Sequence, residues 1–485
     1  MQSFVLQGID GLRCEIEVDL ATSGLPRTTV VGLPDAAVKE SVERVRTAML
    51  NSGYRFPQVR ITVNLAPADV RKEGPVYDLP IAVALLMADG TIQSGAATPG
   101  ELLMGGELAL DGRVRPIRGA ITLGLLARSR GAPGVLVPAA NAAEAAVVDG
   151  IRVFGVAHLT EVVEFLNGRT TIVPHDPVDT AAMIRQTTPS VDFGEIKGQD
   201  AAKRALTVAA AGGHNVIMIG PPGTGKSMLA KALPGILPPL TPEEALEVTR
   251  IYSAVGRIRA GQSLICQRPV RAPHHTASAP AVIGGGTIPG PGEVSLAHRG
   301  VLFLDELPEF GRNVLETLRQ PLEDGSVTIC RAQGSVRFPA RFMLVAALNP
   351  TPRGSNPEGD AGHRAMERYL ARLSGPLVDR IDIHTEVPAV SFRQLSAPAN
   401  GADTATLRAA VADARRFAAD RQGPRVNGDL AARDLDVLCD LTPEAAVLLG
   451  QALNELGLSA RAYDKLRRVS RTIADLESSE RVEVP

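Results

Sequence analysis

Near the middle of the chain, Gly220-Pro221-Pro222-Gly223-Thr224-Gly225-Lys226-Ser227 has the residue types and spacing of a loop that cradles phosphate. Its glycines allow the backbone to turn so that successive N–H groups point at one anion, and the helix expected to follow adds the positive end of its dipole. Lys226 offers a cation to the β/γ oxygens, and Ser227 a hydroxyl to Mg²⁺. Further on, Asp305 and Glu306 form a carboxylate pair with two tasks. Asp305 is expected to reach Mg²⁺, mostly through water. Glu306, one residue on and directed elsewhere, is expected to orient and deprotonate an attacking water as general base. Asn349 brings a neutral amide able to hold that water or to sense a γ-phosphate. Together these types describe Mg²⁺-assisted transfer of a phosphoryl group from ATP to water. A solvated acidic turn stays open for Asp305 and Glu306 taken alone, as does a chance glycine-rich turn for the loop.

Such residues act together only if strands deliver them. Residues 215–219, 301–304 and 342–348 are short apolar runs, and each ends on one of the three chemical segments. That pattern predicts a doubly wound parallel sheet, with ligands at the strand carboxyl ends. The sheet belongs to a core expected over 191–393. Before it, the polar, proline-containing stretch 174–190 reads as a linker, with a boundary near Val173. Residues 1–173 read as a separate α/β domain, with a strand at 59–65 and a helix on which Val38, Val42, Val45 and Met49 share a face. Residues 394–485 read as helices: Leu407, Val411 and Ala414 fall on one face, and Thr442-Pro443-Glu444 is a helix start.

Composition narrows the partners. An aromatic share of 3% without tryptophan excludes stacking platforms for single strands, so contact with nucleic acid must run through phosphate. Lys+Arg 51 against Asp+Glu 53 gives a net charge of -2, leaving only a local basic surface for DNA. Cys14, Cys266, Cys330 and Cys439 are scattered and form no disulfide framework. The first residues lack a secretory pattern, and the best apolar run, 79–88, is too short for a bilayer, so a cytoplasmic protein without membrane contact is expected. His274 and His275, with His298 and His363, raise a metal reading, but adjacent histidines are expected to face opposite ways, which favours polar loop contacts.

The phosphate loop, the acidic strand and Asn349, together with Asp192-Phe193-Gly194-Glu195-Ile196-Lys197-Gly198-Gln199, resemble the AAA+ ATPases. Arg271-Ala272-Pro273-His274-His275-Thr276-Ala277-Ser278, Ile283-Gly284-Gly285-Gly286 and Leu373-Ser374-Gly375-Pro376-Leu377-Val378-Asp379-Arg380-Ile381-Asp382 narrow the resemblance to the magnesium-chelatase-like ComM/YifB family, over essentially the whole chain. The resemblance implies an α/β architecture of three parts: a Lon-protease-like N-terminal domain, an AAA+ P-loop sheet and a C-terminal helical lid. It makes ATP and Mg²⁺ the cofactors. It also makes Arg380 the arginine finger that reaches a neighbour's γ-phosphate in a hexameric ring, and Arg461 a second sensor on the lid. For both arginines an ion pair with a carboxylate such as Asp379 or Asp464 stays open. The family's cysteine-rich stretch after the sensor strand is here Asn349-Pro350-Thr351-Pro352-Arg353-Gly354-Ser355, which leaves no thiolate for zinc.

In the N-terminal part, Arg71-Lys72-Glu73-Gly74-Pro75-Val76 and the stretch 106–119 resemble the Lon fold, but Val76 and Ile121 stand where a Ser nucleophile and a Lys base are expected. A non-proteolytic scaffold follows, serving a second ring or DNA. Residues 325–338 predict a hairpin, and 268–292 look like a second pore insertion of the chelatase and helicase clade. Arg331 and Arg337 are candidates for phosphate contact, with a solvated hairpin as the alternative. The resemblance implies a hexameric DNA translocase or branch-migration helicase in recombination during natural transformation. The alternative is a chelatase-type remodeller of a protein partner, and a nucleotide-gated ring without unwinding is a third class.

Overall fold

The computed structural model describes the chain except for residues 22–24, 94–100, 189–190, 260, 287–288, 332–333, 351–371, 397–400 and 485. It forms two compact units, Met1–Ile184 with Thr241–Ile265, and Arg185–Leu240 with Cys266–Pro485.

The first unit is built on strands β1 (Gln2–Gln7), β2 (Asp10–Ala21), β3 (Arg27–Val31), β4 (Arg60–Ala66), β5 (Leu103–Met104), β6 (Glu107–Leu108), β7 (Val114–Arg115), β8 (Gly134–Pro138) and β9 (Arg152–Val156). Seven of them make a mixed sheet in the order β3-β4-β2-β1-β5-β8-β9, while β6 and β7 pair separately. Side chains alternate across a strand, so the sheet feeds two cores. Val5, Leu136 and Phe154 join one with the helices Ala36–Asn51 and Asp78–Ala88. Their neighbours Phe4, Val135, Val137 and Val153 join the other, against the helix Ala120–Ser129. The helix expected around Val38 starts at Asp35, whose carboxylate accepts the Val38 N–H at 2.7 Å, and it buries Val38, Val45 and Met49. The apolar run at 79–88 is a core helix, buried from Asp78 to Leu86. Among the described residues no helix is long and apolar enough to cross a membrane.

Two features of this unit depart from the sequence reading. The stretch read as a linker contains a helix, Thr180–Arg185, capped by Asp179 accepting from the Ala182 N–H at 2.8 Å, with Ile184 buried. Asp-Thr-Ala-Ala is an adequate helix start, and the flanking prolines concealed it. The segment Thr241–Ile265, inside the stretch read as the core, packs in the first unit instead. Its helix Pro242–Ala254 opens with a capping box between Thr241 and Glu244. The buried Glu144 carboxylate accepts from Ser253 Oγ, from the Ile121 N–H at 3.1 Å and from Asn141 Nδ2 at 3.0 Å, and Ser253 Oγ in turn accepts the Gly119 N–H at 3.0 Å.

The second unit holds β10 (Val216–Ile219), β11 (Val270–Arg271), β12 (Gly284–Gly285), β13 (Gly290–Pro291), β14 (Val301–Leu304), β15 (Ser326–Arg331), β16 (Gly334–Pro339), β17 (Met343–Leu348) and β18 (Ile383–Glu386). Its main sheet runs β11-β14-β17-β10-β18, parallel throughout. Every residue of β14 and β17 is buried, as a parallel sheet covered on both faces requires. The order reverses at β10: the chain leaves it for the far edge, returns through β14 to β17 on one side, and then adds β18 on the other. A crevice forms at the carboxyl ends around such a strand. Strands β15 and β16 form the expected hairpin, with Arg337 opposite Thr328 and its Nε donating to Ser326 Oγ at 2.9 Å. Helices Thr404–Gln422, Ala432–Leu438, Pro443–Glu455 and Ala460–Leu476 follow. Val411 and Ala414 pack into the core of this sheet, with Leu407 against it.

Candidate functional site

Three parallel strands end beside one another, and each delivers one chemical segment. β10 runs into the phosphate loop, β14 into Asp305 and Glu306, and β17 into Asn349. The cleft between them, about 350 Å³, is lined by the loop from Pro222 through Ser227 and by Asp305, Glu306 and Asn349.

Close approach and backbone shape explain the loop's glycines. A Cβ on Gly220 would lie 2.1 Å from the carbonyl oxygen of Val387, just past β18, so that strand's end excludes any side chain. Gly223 and Gly225 adopt φ of +78° and +93° with nothing within 4 Å, so their conformation demands glycine and the space beside them is open. Lys226 begins the helix Lys226–Ala232, and its Nζ donates to the carbonyls of Gly220 at 2.6 Å and Pro221 at 2.8 Å and to Asn349 Oδ1 at 3.2 Å. Burial lowers its ammonium below the ordinary lysine value, with Asp305 and Glu306 opposing the shift. Thr224 Oγ1 closes the turn onto the Pro221 carbonyl at 3.0 Å.

Ser227 Oγ lies 3.1 Å from Asp305 Oδ2, a hydroxyl and a carboxylate converging as oxygen ligands for a small hard cation do. Asp305 Oδ1 accepts the Glu306 N–H at 3.0 Å. Glu306 itself sits at φ +53°, and its carboxylate turns away from Asp305 to pair with His275 Nδ1 at 3.2 Å. The open glycines, the serine–aspartate pair and the buried lysine all fit a Mg²⁺-bound triphosphate.

The remaining candidates lie elsewhere. Arg380 does not line the cleft: Nη1 donates to the Pro376 carbonyl at 2.6 Å and Nη2 pairs with Glu323. Arg461, largely exposed, reaches Asp379 at 3.7 Å, one of the two carboxylates left open for it. Asn215 Nδ2 holds the Arg380 carbonyl at 2.8 Å, tying that segment to the root of β10.

The two histidines do not face opposite ways. Their ring centroids are 4.1 Å apart, because the chain turns at this point, with the Ala277 N–H donating to the His274 carbonyl at 2.9 Å, and the alternation of an extended strand does not apply. His298 is buried and accepts the Arg341 N–H at 3.0 Å. His363 and residues 351–355 lie outside the described residues, as do Ala332 and Gln333 at the hairpin turn. Sequence reasoning missed two residues at the site. One is His275 as the partner of Glu306, which the adjacency of β11 and β14 would have indicated. The other is Gln199, whose Nε2 clamps the carbonyls of Thr224 at 3.2 Å and Pro388 at 2.7 Å and so braces the loop.

Comparison with known proteins adds the following. Family profiles match at residues 192–395 (magnesium chelatase, subunit ChlI), 16–141 (subunit ChlI of Mg-chelatase) and 401–485 (magnesium chelatase, subunit ChlI C-terminal). The competence protein ComM of Haemophilus influenzae is 44% identical over 482 residues, covering 99% of this chain and 94% of its own. The uncharacterized protein YifB of Escherichia coli is 44% identical over 477 residues, 98% of this chain and 92% of its own. The magnesium-chelatase 38 kDa subunit of Rhodobacter capsulatus is 28% identical over 227 residues, 43% of this chain and 62% of its own.

Proposed function

The chain belongs to the magnesium-chelatase-like ComM/YifB family, whose AAA+ character implies use of ATP and Mg²⁺, and from that premise we propose that it is an ATP-driven hexameric ring motor acting on DNA. The observation that carries the ATPase reading is the convergence of Lys226, Ser227, Asp305, Glu306 and Asn349 on one cleft. Similarity to a competence protein supports the choice of DNA, in branch migration or translocation during recombination or natural transformation.

Bound Mg²⁺ supplies charge neutralisation and a template for the phosphates. The chain's own groups do the rest. Lys226 exchanges its loop carbonyls for phosphate oxygens. The loop N–H groups between Gly223 and Ser227 orient the β-phosphate, and Ser227 with Asp305 holds the cation. Glu306 takes the proton of the attacking water, and Asn349 orients that water. In this reading Arg380 serves the site of the next subunit and Arg461 the lid formed by residues 394–485. Residues 1–173 form a Lon-like scaffold without peptidase chemistry, in keeping with the buried Ile121 and the apolar Val76.

ATP turnover measured alone and with single-stranded, duplex and four-way-junction DNA tests the proposal. Stimulation by branched DNA is expected. The similarity to a magnesium-chelatase subunit favours a second reading, remodelling of a protein partner, and turnover that ignores every DNA would move the assignment there.

A further inference from the structure

Strands β11 and β14 are parallel neighbours, with Val270 opposite Val301 and Arg271 opposite Leu302. The chain therefore leaves both at the same edge, and His275 and Glu306, each a few residues past its strand, meet there. His275 Nδ1 donates to Glu306 Oε2 at 3.2 Å. The imidazole is held in place: it stacks on His274 at 4.1 Å and meets the ring of Phe310 edge-on at 6.5 Å. His274 is itself tied to the Thr276 hydroxyl at 2.9 Å. On the other side, Glu306 starts from a left-handed backbone pinned by Asp305, so its side-chain torsions alone decide where its carboxylate points. Residues 305 and 306 thus divide their partners, Asp305 facing Ser227 and Glu306 facing the root of the 268–292 insertion.

We propose that His275 is a latch on Glu306. It holds the carboxylate against the insertion while that loop is unengaged, and displacement of the loop by a bound DNA strand withdraws the imidazole and frees Glu306 to act as base. The proposal rests on the ATPase reading given above. His275 touches neither substrate nor water and is a positioning residue. Side-chain exposures of 31% and 46% make the latch soft, because an ion pair this open shifts an equilibrium by only about 1.5- to 5-fold. Such a contact grades turnover and does not abolish it.

The test is steady-state ATP turnover by the full-length chain, unsubstituted and as His275→Ala and His275→Asn, with and without four-way-junction DNA. His275→Ala should raise kcat without DNA about 2- to 5-fold, leave KM within about twofold, and respond less to DNA. His275→Asn, whose amide can donate to the same carboxylate oxygen, should return towards the unsubstituted rate. In a Glu306→Gln background, His275→Ala should change nothing. An unchanged or lower basal kcat in His275→Ala, an asparagine variant that behaves like alanine, or an effect that survives Glu306→Gln would each overturn the latch. Absence of turnover in the unsubstituted chain would overturn the ATPase reading and the latch with it. Turnover without any DNA response would remove DNA as the loop's ligand, and the basal comparison would still decide the latch.

Discussion

Lys226 and Glu306 face the same cleft with opposite duties, and their variants should separate binding from chemistry. Lys226→Ala removes a partly buried cation, and one charged hydrogen bond is worth roughly 1.5–3 kcal/mol, so ATP affinity should fall about 10- to 150-fold for each such bond lost. Glu306→Gln keeps the shape of the side chain and loses its basicity. Binding should stay within about twofold while turnover drops about 10²- to 10⁴-fold. Equilibrium binding of a fluorescent ATP analogue beside single-turnover hydrolysis checks both, and equal defects in the two variants would defeat the assignment of roles. At this scale the sequence was most legible where function dictates local pattern: the loop, the carboxylate pair and Asn349 follow their strands directly. His275 was not legible, because its partner lies on another strand and residue spacing says nothing about lateral neighbours. Glu323, which holds Arg380, escaped for the same reason.

Among the elements, two contacts tie the C-terminal helices to the sheet of the second unit. Asp192 Oδ1 accepts the N–H of Gly194 at 2.7 Å and both the N–H and the hydroxyl of Thr404 at about 3 Å, joining the unit's first turn to the start of the helix Thr404–Gln422. These donors, the Gly194 N–H foremost, hold its carboxyl below the ordinary aspartate value of about 3.9. A depressed folded value means that the stabilisation is present above the unfolded value and is lost as pH falls through the folded one. Asp192→Asn should therefore flatten the acid limb of stability below about pH 4 and change little at neutrality, as urea titrations at several pH values would show. The second contact is Asp475, buried between Arg471 at 3.0 Å and Arg421 at 2.6 Å and also accepting from Asn427 Nδ2 at 2.7 Å. Asp475→Ala strands two guanidiniums and should cost about 3–5 kcal/mol. At roughly 2–4 °C per kcal/mol, calorimetry should find the second unit melting about 6–20 °C lower, and a shift under 2 °C would refute the network's importance. Strands were read well because their burial is encoded locally. The helix Thr180–Arg185 was obscured by neighbouring prolines, and the home of the helix Pro242–Ala254 was concealed altogether, since its capping signals say that a helix starts and not what it packs on.

For the whole molecule, the question is how many chains complete one site. Arg380 lies outside the cleft of its own chain, bonded to Pro376 and Glu323, as a residue serving a neighbour would. Arg380→Ala should spare ATP binding and lower turnover about 10³- to 10⁵-fold if its guanidinium stabilises charge in the adjacent subunit. Mixed with Glu306→Gln, it should recover measurable turnover, because an intact Glu306 and an intact Arg380 then meet across some interfaces. Mixed assemblies with no recovery would return Arg380 to an ordinary ion pair. The division into units carries a different consequence, one for synthesis on the ribosome. The first unit closes only when Thr241–Ile265 has emerged, some 80 residues after Ile184 and after the phosphate loop has been made. At translation rates of about 5–20 residues per second, the nascent first unit waits roughly 4–16 s with Glu144 still lacking Ser253. Its folding cannot precede that of its successor in simple order, and a chaperone meeting the growing chain would find the two units incomplete together.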